Sequence, residues 1–381
     1  MVINHAFVLP SNRARWERLA KLYPDADVSL LTPDRLTETY YGVVEHHVTV
    51  PDESGGNYRV IPVPRVGKGL YRTLTAHMRK VRPNFVHILE EPTQWMLLQM
   101  LIIARVWAPH AVRYFYVTTN ISPHPAKWHQ RLKHRLIFRL SHGAVAITSD
   151  AERVLRDLGF RKPIVVQAHG GVDEIAFTPG PPHDPASPFA IGFLGALRKD
   201  EHVDKGVADL ARAAILLDGE WQLLIGGEGP EQETVERILA GAGASDRLQL
   251  AGLVPRSECP SFLGRMDVLV VPSRTTPRGS EQFGLVIPEA MLCGIPVIGS
   301  DSGAIPVVIG DAGLIFPEGD QEALASRLRT LRESPVLRDE LAEKGRERAL
   351  RLFSATALAH SAYPFYSDLV ARHRRAAGRG R

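Results

Sequence analysis

The segment "DVLVVPSRTTPRGSEQFGLVIPEAMLCGIPVIGS" (267–300) contains an apolar run, a polar loop, a short helical pattern and a second apolar run. Apolar runs without polar alternation are typical of parallel strands that are buried on both faces. The helical pattern is expected to run from about Gly284 to Leu292 and to end near Gly294. Pro288 fits this helix only because it lies close to the first turn. The segment therefore predicts a strand–helix–strand unit of a parallel α/β sheet.

The same alternation of apolar runs and helical patterns continues on both sides of this segment. In the second half of the chain, the predicted strands are 189–197, 221–229, 247–254, 267–273, 296–303 and 312–316. In the first half they are 5–10, 27–32, 58–64, 85–91, 111–119 and 143–149, with helices over about 11–22, 70–83 and 150–159. The last of these helices is expected to begin at an N-cap aspartate, Asp150. Each half therefore predicts an α/β, Rossmann-like domain with a doubly wound parallel sheet.

The length of the chain and one proline-rich segment predict the domain boundaries. A chain of 381 residues is too long for one compact core, and "TPGPPHDPASP" (178–188) has five prolines in eleven residues. We predict an N-terminal domain over 1–178, a linker over 179–188 and a C-terminal domain over 189–350. A C-terminal helix over 351–370 could cross back to the N-terminal domain, and a basic tail over 371–381 follows it. The two domains are expected to face each other across a cleft.

Composition narrows the class of protein. The content of 44% hydrophobic and 23% charged residues is typical of a globular protein. The two cysteines, Cys259 and Cys293, lack metal-type spacing, which argues against a disulfide scaffold and favours the cytoplasm. The start of the chain has no signal-peptide pattern, so we expect no leader. The apolar segment 95–107 is too short to span a bilayer and predicts a buried helix.

Charge is unevenly distributed between the two halves. Residues 1–180 contain 23 Lys and Arg against 15 Asp and Glu, which gives +8, whereas residues 181–381 contain 23 against 27, which gives −4. This asymmetry indicates that the first half meets something anionic, although chance variation between domains explains it equally well.

The residues that follow the predicted strands are the first candidates for a site, because ligands of parallel sheets bind beyond the carboxyl ends of the strands. Arg198, Lys199 and Lys205 follow the first strand of the second half, where basic groups suit a diphosphate or belong to a solvated loop. Gly227, in "GGEGPE" (226–231), would let the backbone approach a ligand, although a glycine pair in a simple turn explains it as well.

Two carboxylates flank the helix start in "EQFGLVIPEA" (281–290). Either they are charged residues at an ordinary helix start, or both act on one ligand. Glu289 could reach a ribose diol, because a carboxylate accepts two hydrogen bonds from hydroxyls. Glu281 would then face the group attached beyond the phosphates, with the helix start between them. Under this hypothesis, the two carboxylates bind opposite ends of a nucleotide sugar.

In this setting, the chain closely resembles the retaining nucleotide-sugar glycosyltransferases of family 4, which include glycogen-synthase-like and group 1 enzymes. The motifs that carry the resemblance are "HGGVD" (169–173), "FLGAL" (193–197), "LLIGGEGPE" (223–231), "LAGLVP" (250–255), Glu281-x7-Glu289 and "GIPVIGSDSGAIPVVI" (294–309). They cover about 165–330 strongly and the earlier part of the chain weakly. The resemblance implies the GT-B architecture, with an acceptor-side N-terminal domain and a C-terminal domain that binds the nucleotide sugar.

The resemblance also implies a role for each candidate residue. Glu289 would bind the ribose hydroxyls, and Glu281 would contact the transferred sugar. Arg198 and Lys205 would neutralise the diphosphate. Further donor contacts would come from the backbone N–H groups of Phe283, Gly284 and Leu285, from the loop at Gly227, and from a base site near Leu253 and Val254. His124, in "NISPHPAKW" (120–128), is the candidate for a histidine that touches the donor sugar, with a solvent-facing loop histidine as the alternative.

Two stretches depart from the pattern of the family. Gly195-Ala196-Leu197 stands where the family often has Gly-Arg-Leu, so Arg198 would replace that arginine only in part. "LPSNRARWERLA" (9–20) stands in place of the glycine-rich loop that is common near the amino end of the family.

The predicted reaction is transfer of a hexose, with retention, from a UDP- or GDP-sugar to a hydroxyl of a glycan, a lipid-linked molecule or a small molecule. No DxD-type acidic pair is evident near the site, so this prediction requires neither a metal ion nor a cofactor. The alternatives are a non-catalytic GT-B protein that binds sugar nucleotides and a GT-B nucleotide-sugar epimerase. We expect no nucleic-acid partner, because no basic surface has interleaved aromatic residues.

The segment 127–142 predicts an amphipathic helix. Trp128, Leu132, Leu136 and Leu140 recur at four-residue spacing and are surrounded by Lys127, Arg131, Lys133, His134, Arg135 and Arg139. Such a helix could lie on an anionic membrane, which would give a cytoplasmic protein that is peripheral on the inner membrane face. The alternative is a helix that packs its leucines on the sheet and keeps its arginines in water.

Overall fold

The computed structural model describes residues 1–36, 48–49, 53–66, 70–71, 73–121, 127–168, 171–181, 187–202 and 204–378. The chain divides into two compact units. The first unit contains the described residues up to Gly171 and those from Ala355 onward, and the second contains Val172–Ser354. The division therefore lies a few residues before the proline-rich segment, and the last helix belongs to the first unit.

The first unit is built on an eight-stranded sheet with the order β12-β11-β10-β9-β1-β2-β6-β5. Its strands are β1 (Val2–Ile3), β2 (Val28–Pro33), β5 (Glu53–Gly55), β6 (Tyr58–Val63), β9 (Phe85–Ile88), β10 (Val112–Val117), β11 (Gly143–Ala146) and β12 (Ile164–Val166). All neighbours are parallel except β5, which is antiparallel to β6. Two short antiparallel pairs lie outside this sheet, β3 (Arg35–Leu36) with β4 (Val48–Thr49) and β7 (Arg65–Val66) with β8 (Leu70–Tyr71).

The helices of the first unit form two layers on this sheet. They are α1 (Ala14–Leu22), α2 (Leu74–Val81), α3 (Trp95–Trp107), α4 (Trp128–Leu140), α5 (Ser149–Asp157) and the last helix of the chain, α13 (Ala355–Gly378). The strands from β9 to β12 advance in one direction across the sheet, so right-handed crossovers place α3, α4 and α5 on one face. Helix α3 packs against both α2 and α4, whereas α1 packs against α13.

The second unit has a six-stranded sheet with the order β15-β14-β13-β16-β17-β18, and all its neighbours are parallel. Its strands are β13 (Phe189–Leu194), β14 (Trp221–Gly226), β15 (Leu248–Gly252), β16 (Val268–Val271), β17 (Val297–Ser300) and β18 (Leu314–Phe316). Its helices are α6 (Val207–Ala214), α7 (Gln232–Gly241), α8 (Cys259–Leu263), α9 (Val286–Leu292), α10 (Ile305–Ile309), α11 (Gln321–Glu333) and α12 (Pro335–Leu352). The buried core lies between the strands and helices such as α6 and α11.

The structure confirms the six predicted strands of the second unit and the helix between Gly284 and Leu292, which is observed as Val286–Leu292. A predicted strand and a predicted helix cap in the first unit are wrong. The apolar run 5–10 is not a strand, because His5–Val8 forms a 3-10 helix and the strand β1 precedes it. The N-cap of α5 is Thr148 rather than Asp150, and its side chain accepts a hydrogen bond from the Ala151 N–H at 3.2 Å.

A buried polar cluster attaches α13 to the first unit. The guanidinium of Arg15, which is 2% exposed, donates to the Tyr366 hydroxyl at 3.2 Å. That hydroxyl lies 3.1 Å from Nδ1 of the fully buried His87. Burial, together with the nearby positive charge of Arg15, holds the pKa of His87 well below its usual range, so the ring is neutral where it shares a hydrogen bond with the hydroxyl. The Tyr366 hydroxyl therefore satisfies two buried groups at once.

We expect Tyr366→Phe to lower the free energy of unfolding by about 1–3 kcal/mol, because Arg15 and His87 would both lose a buried partner. The matched control is Tyr363→Phe in the same helix, whose hydroxyl contacts Asp25 at the surface. This control should change the free energy by less than about 0.5 kcal/mol. Urea unfolding of both variants is the measurement, and equal losses would show that the buried cluster is not what attaches α13.

Candidate functional site

The predicted site residues of the second unit follow the carboxyl ends of neighbouring strands. Lys205 lies beyond β13 and directly before α6, and Glu281 lies beyond β16 and before α9. Because β13 pairs in parallel with β16, both residues lie at the same edge of the sheet. The Lys205 ammonium donates to Glu281 Oε2 at 2.7 Å, so the structure brings these two predicted residues into direct contact.

The Glu281 carboxylate is also held by residues that the sequence analysis did not identify. The Ser273 hydroxyl, directly after β16, donates to Glu281 Oε2 at 3.1 Å. The Glu281 carbonyl accepts from the Ala304 N–H at 2.9 Å, in the loop after β17. A Cβ atom on Gly303 would lie 2.3 Å from that carbonyl oxygen, so only glycine allows this loop to approach so closely. Glu281 is thus fixed from three neighbouring strands.

The protonation state of Glu281 follows from these contacts. Burial alone would raise the pKa of the carboxyl, but the charge and hydrogen bond of Lys205, together with the Ser273 hydroxyl and the Gly284 N–H, outweigh burial and lower it. Glu281 is therefore an anion at neutral pH, and its negative charge is matched by the Lys205 ammonium.

Glu289 lies in α9 and is 3% exposed. Its Oε1 accepts a hydrogen bond from the Arg256 guanidinium at 2.6 Å. Burial raises the pKa of the Glu289 carboxyl, and the charge and hydrogen bond of Arg256 oppose that rise without cancelling it. The Arg256 guanidinium also stacks 4.7 Å from the ring centroid of Phe177, which fixes its position. Further donors to this carboxylate would therefore offset part of the cost of burying its charge.

Arg256 follows β15, at the same sheet edge, and the sequence analysis missed it. The rule that selected Arg198 and Lys205, which is to inspect basic residues after each predicted strand, would also have selected Arg256. That rule would not have selected Ser273, because serine is not basic and the predicted strand 267–273 includes it.

The glycine-rich loop after β14 packs against two other loops. Gly227 adopts φ 129°, and a Cβ atom there would lie 1.9 Å from the Gly195 carbonyl oxygen. Its N–H donates to the Gly252 carbonyl at 2.7 Å. The side chain of Glu228 accepts from the Leu253 N–H at 3.3 Å. The close approach of the two backbones therefore explains why position 227 is a glycine. In the predicted base site at Leu253 and Val254, the Leu253 N–H is already bound by the Glu228 side chain.

The other predicted basic residues each have an acidic neighbour. Arg198 is half exposed and forms an ion pair with Asp200. The Lys199 ammonium lies 3.6 Å from the Asp204 carboxylate. The Lys205 N–H donates to the Arg198 carbonyl at 3.0 Å, so the backbones of the two predicted diphosphate residues are adjacent.

The three predicted backbone donors lie directly before α9. Phe283 is 5% exposed, and its ring packs edge-to-face against Phe353 with a centroid distance of 5.6 Å, so its side chain anchors the loop. The Gly284 N–H donates to the Glu281 carboxylate, and Gly284 adopts a left-handed φ of 74°. Leu285 is the N-cap residue of α9, and its carbonyl accepts from the Glu289 N–H at 3.3 Å.

His124 lies outside the described residues. The described residues that directly follow β10 are Thr118 and Thr119, whose N–H groups donate to the Glu91 carboxylate.

In the described part of the chain, no group of three or more His, Cys, Asp or Glu side chains is arranged to hold a metal ion.

Comparison with known proteins finds a family model that matches most of the second unit. Residues 182–348, which contain Lys205, Arg256, Glu281 and Glu289, match the model of the family described as glycosyl transferases group 1. The second unit is therefore similar to the group 1 glycosyltransferases over most of its length. This match confirms the resemblance that the sequence motifs indicated.

Among curated relatives of this chain is a 2-deoxystreptamine N-acetyl-D-glucosaminyltransferase of Streptomyces fradiae. It is 27% identical over 277 residues, which are 66% of this chain and 63% of that relative. A phosphatidyl-myo-inositol mannosyltransferase of Mycolicibacterium smegmatis is 28% identical over 372 residues, which are 92% of this chain and 89% of that relative. The chain spans less than two thirds of the length of seven curated relatives that it matches.

A solved structure of HepE from Anabaena, in complex with UDP and glucose, has a TM-score of 0.66 to this chain at 16% identity. The match covers 96% of this chain and 98% of that chain. At this identity the likeness shows the fold. The predicted fold class, GT-B with two Rossmann-like parallel-sheet domains, is confirmed.

The raised pKa of Glu289 predicts how this residue affects stability as the pH changes. A carboxyl with a higher pKa in the folded state than in the unfolded state holds its proton more tightly when folded. Its contribution to stability is therefore complete below the unfolded value of about 4.3 and is lost as the pH rises through the folded value. We expect the free energy of unfolding of the wild type, relative to Glu289→Gln, to fall between acidic and neutral pH.

Denaturant unfolding of both proteins across this pH range is the measurement. Glu258→Gln, at an exposed residue that directly precedes α8, is the matched control and should show no such trend. A difference between wild type and Glu289→Gln that stays constant or grows with pH would contradict the raised pKa.

Proposed function

We propose that the protein is a retaining glycosyltransferase that moves a hexose from a UDP- or GDP-sugar to a hydroxyl of a glycan, a lipid-linked molecule or a small molecule. The observation that carries this proposal is the pair of carboxylates at the two ends of the segment 281–289, the partly buried Glu281 and the buried Glu289, each held by its own cation. HepE, which shares the fold, has been solved with UDP and with UDP-glucose, which supports a nucleotide-sugar donor.

In this proposal Glu289 binds the ribose. Its carboxylate is buried and accepts one hydrogen bond from Arg256 at 2.6 Å. A ribose diol would add two O–H donors, which would replace the hydration that the carboxylate loses on burial. Leu253 and Val254 would contact the base through their backbone, with Gly227 in the neighbouring loop.

Lys205 and Arg198 would stabilise the negative charge that develops on the diphosphate as it departs. For this purpose Arg198 must exchange its exposed partner Asp200 for the diphosphate, a change that costs little because exposed ion pairs are weak. The Lys205 ammonium contacts Glu281 and would also contact the diphosphate. It would therefore lie between the leaving group and the sugar. Backbone N–H groups at Phe283, Gly284 and Leu285 would bind the sugar hydroxyls or the phosphates.

The proposed reaction breaks the bond between the anomeric carbon and the diphosphate oxygen and forms a bond from that carbon to the acceptor oxygen. The acceptor hydroxyl gives its proton to the departing phosphate, so the protein need not supply a base. Glu281, an anion next to the sugar, stabilises the positive character that develops on the ring. His124 is the proposed histidine that touches the donor sugar.

We propose a cytoplasmic location for this reaction, with peripheral attachment to the inner membrane face through the segment 127–142 where the acceptor is lipid-linked. The amphipathic pattern of that segment and the charge of +8 in residues 1–180 support this location. Among the described residues, no helix is both long and apolar enough to cross a membrane.

The donor role can be tested without knowledge of the acceptor. The protein is mixed with UDP-glucose, UDP-N-acetylglucosamine, GDP-mannose or ADP-glucose, and both the thermal shift and the release of diphosphate are measured. We expect one donor to raise the melting temperature and to be hydrolysed slowly. Glu289→Ala should weaken donor binding by about tenfold to a hundredfold, because it removes the charged acceptor of the ribose diol.

Glu258→Ala is the matched control for this experiment and should leave donor binding unchanged. Unaltered donor affinity in Glu289→Ala would contradict the ribose assignment. A thermal shift without any release of diphosphate would instead favour a protein that binds sugar nucleotides without transferring the sugar.

A further inference from the structure

Helix α4 presents its apolar residues to solvent rather than to the sheet. Trp128 is 77% exposed, Leu132 49% and Leu136 40%. The buried side chains of α4 are instead Lys133, His134 and Ile137. The alternative in which the leucines pack on the sheet is therefore wrong, and Lys133 and His134 do not belong to the basic surface of this helix.

Helix α3 shows the same exposure, which contradicts its prediction as a buried helix. Trp95 is 61% exposed, Ile102 46%, Val106 59% and Trp107 40%. Trp95, Ile102 and Val106 recur at spacings of seven and four residues, so they form one outward stripe along the helix. The opposite side of α3, with Leu97 and Leu101 among others, supplies the buried residues.

The exposed stripes of α3 and α4 belong to one surface. The two helices pack side by side, and the buried Lys133 of α4 donates to the Thr93 carbonyl just before α3. The same ammonium lies 5.2 Å from the ring centroid of Trp95. We call the following exposed residues the α3–α4 surface: Trp95, Ile102, Val106, Trp107, Trp128, Leu132 and Leu136. All three exposed tryptophans of the chain lie in it, since Trp16 and Trp221 are each 3% exposed.

The charges around the α3–α4 surface are almost all positive. Residues 54–149 contain 14 Lys and Arg but only two acidic residues, Glu90 and Glu91. Both acids are engaged inside the first unit, Glu90 with His5 and Glu91 with Thr118. The cations on the outer side are exposed: Arg131, Arg135 and Arg139 on α4, Arg105 on α3, and Arg79, Lys80 and Arg82 at α2.

We propose that the α3–α4 surface binds the face of an anionic lipid bilayer. Tryptophans prefer the boundary between headgroups and acyl chains, where leucine and isoleucine side chains can enter the apolar layer. The neighbouring arginines can extend to lipid phosphates. A protein partner would have to supply acidic residues around an apolar centre, whereas a bilayer of anionic lipid provides both chemistries over the whole surface.

The position of the α3–α4 surface also indicates that the acceptor is anchored in a lipid bilayer. This inference rests on the proposed function. Trp95 and Trp128 lie at the first turns of α3 and α4, which follow the carboxyl ends of β9 and β10. Ligands of a parallel sheet bind at that edge. A membrane bound at these tryptophans would therefore bring the hydroxyl of a lipid-anchored acceptor to the ligand-binding edge of the first sheet.

The test is co-sedimentation of the full chain with vesicles of phosphatidylglycerol and phosphatidylcholine, or of phosphatidylcholine alone, at low and at high salt. We expect binding to the anionic vesicles at low salt, with weaker binding at high salt, and a blue shift of the tryptophan fluorescence. Leu132→Ser/Leu136→Ser should lower the partition coefficient about tenfold or more. Arg131→Gln/Arg135→Gln/Arg139→Gln should lower it about a hundredfold, since each surface cation contributes roughly fivefold.

The matched control is Val307→Ser/Val336→Ser, at two valines of the second unit that are 59% and 68% exposed, and it should bind like the wild type. Thermal unfolding of each variant shows whether it is folded. The proposal is overturned if the wild type stays in the supernatant with anionic vesicles, if it binds phosphatidylcholine equally well, or if the α4 variants bind like the wild type. Donor-induced thermal shifts in the α4 variants should match the wild type, so a failure of the donor site is seen separately.

Discussion

The ion pair between Lys205 and Glu281 joins the ends of the neighbouring strands β13 and β16. Both residues stand a few positions before the helices α6 and α9, so their contact fixes the two helix starts relative to each other. This approach requires glycine at position 206, where a Cβ atom would lie 1.8 Å from the Pro272 carbonyl oxygen. The other contacts of the site, from Ser273 and from the loop at Gly303, depend on the position that this ion pair gives to Glu281.

The two carboxylates of the site are stabilised differently. Glu281 has a cation, a hydroxyl and a backbone N–H around it, and the pKa of its carboxyl is lowered despite burial. Glu289 has the Arg256 guanidinium, and burial still raises the pKa of its carboxyl. A ligand that donates hydrogen bonds should therefore gain most at Glu289, where the charge has the greater cost. The negative charge of Glu281 is already stabilised, so this carboxylate can in turn stabilise a positive charge that develops next to it.

The sequence predicts the second unit well because parallel strands buried on both faces are continuous apolar runs with loops between them. It also predicts that Lys205 and Glu281 lie at one edge of the sheet, because the carboxyl ends of its parallel strands meet there, and the structure shows the two in contact. It did not predict Arg256 as the partner of Glu289, since a pairing across two loops has no fixed spacing along the chain.

The errors in the first unit have a common physical origin. A repeat of 3.6 residues shows which side chains lie on the same face of a helix, but it does not show which face packs on the sheet. In α4 the sheet side takes Lys133, whose long apolar stem is buried while its ammonium reaches the Thr93 carbonyl. The leucines at 132 and 136 are exposed as a consequence. Similarly, the short apolar run at His5–Val8 has no period that would distinguish a strand from a 3-10 helix.

The central claim is that Glu289 binds the ribose diol of the donor nucleotide. A double-mutant cycle tests it most directly, with calorimetry of the nucleoside diphosphate and of its 2′,3′-dideoxy analogue on the wild type and on Glu289→Gln. The account predicts that the two losses of affinity are not additive, because both changes remove the same contact. Losses that add fully would contradict it and would place the ribose away from Glu289.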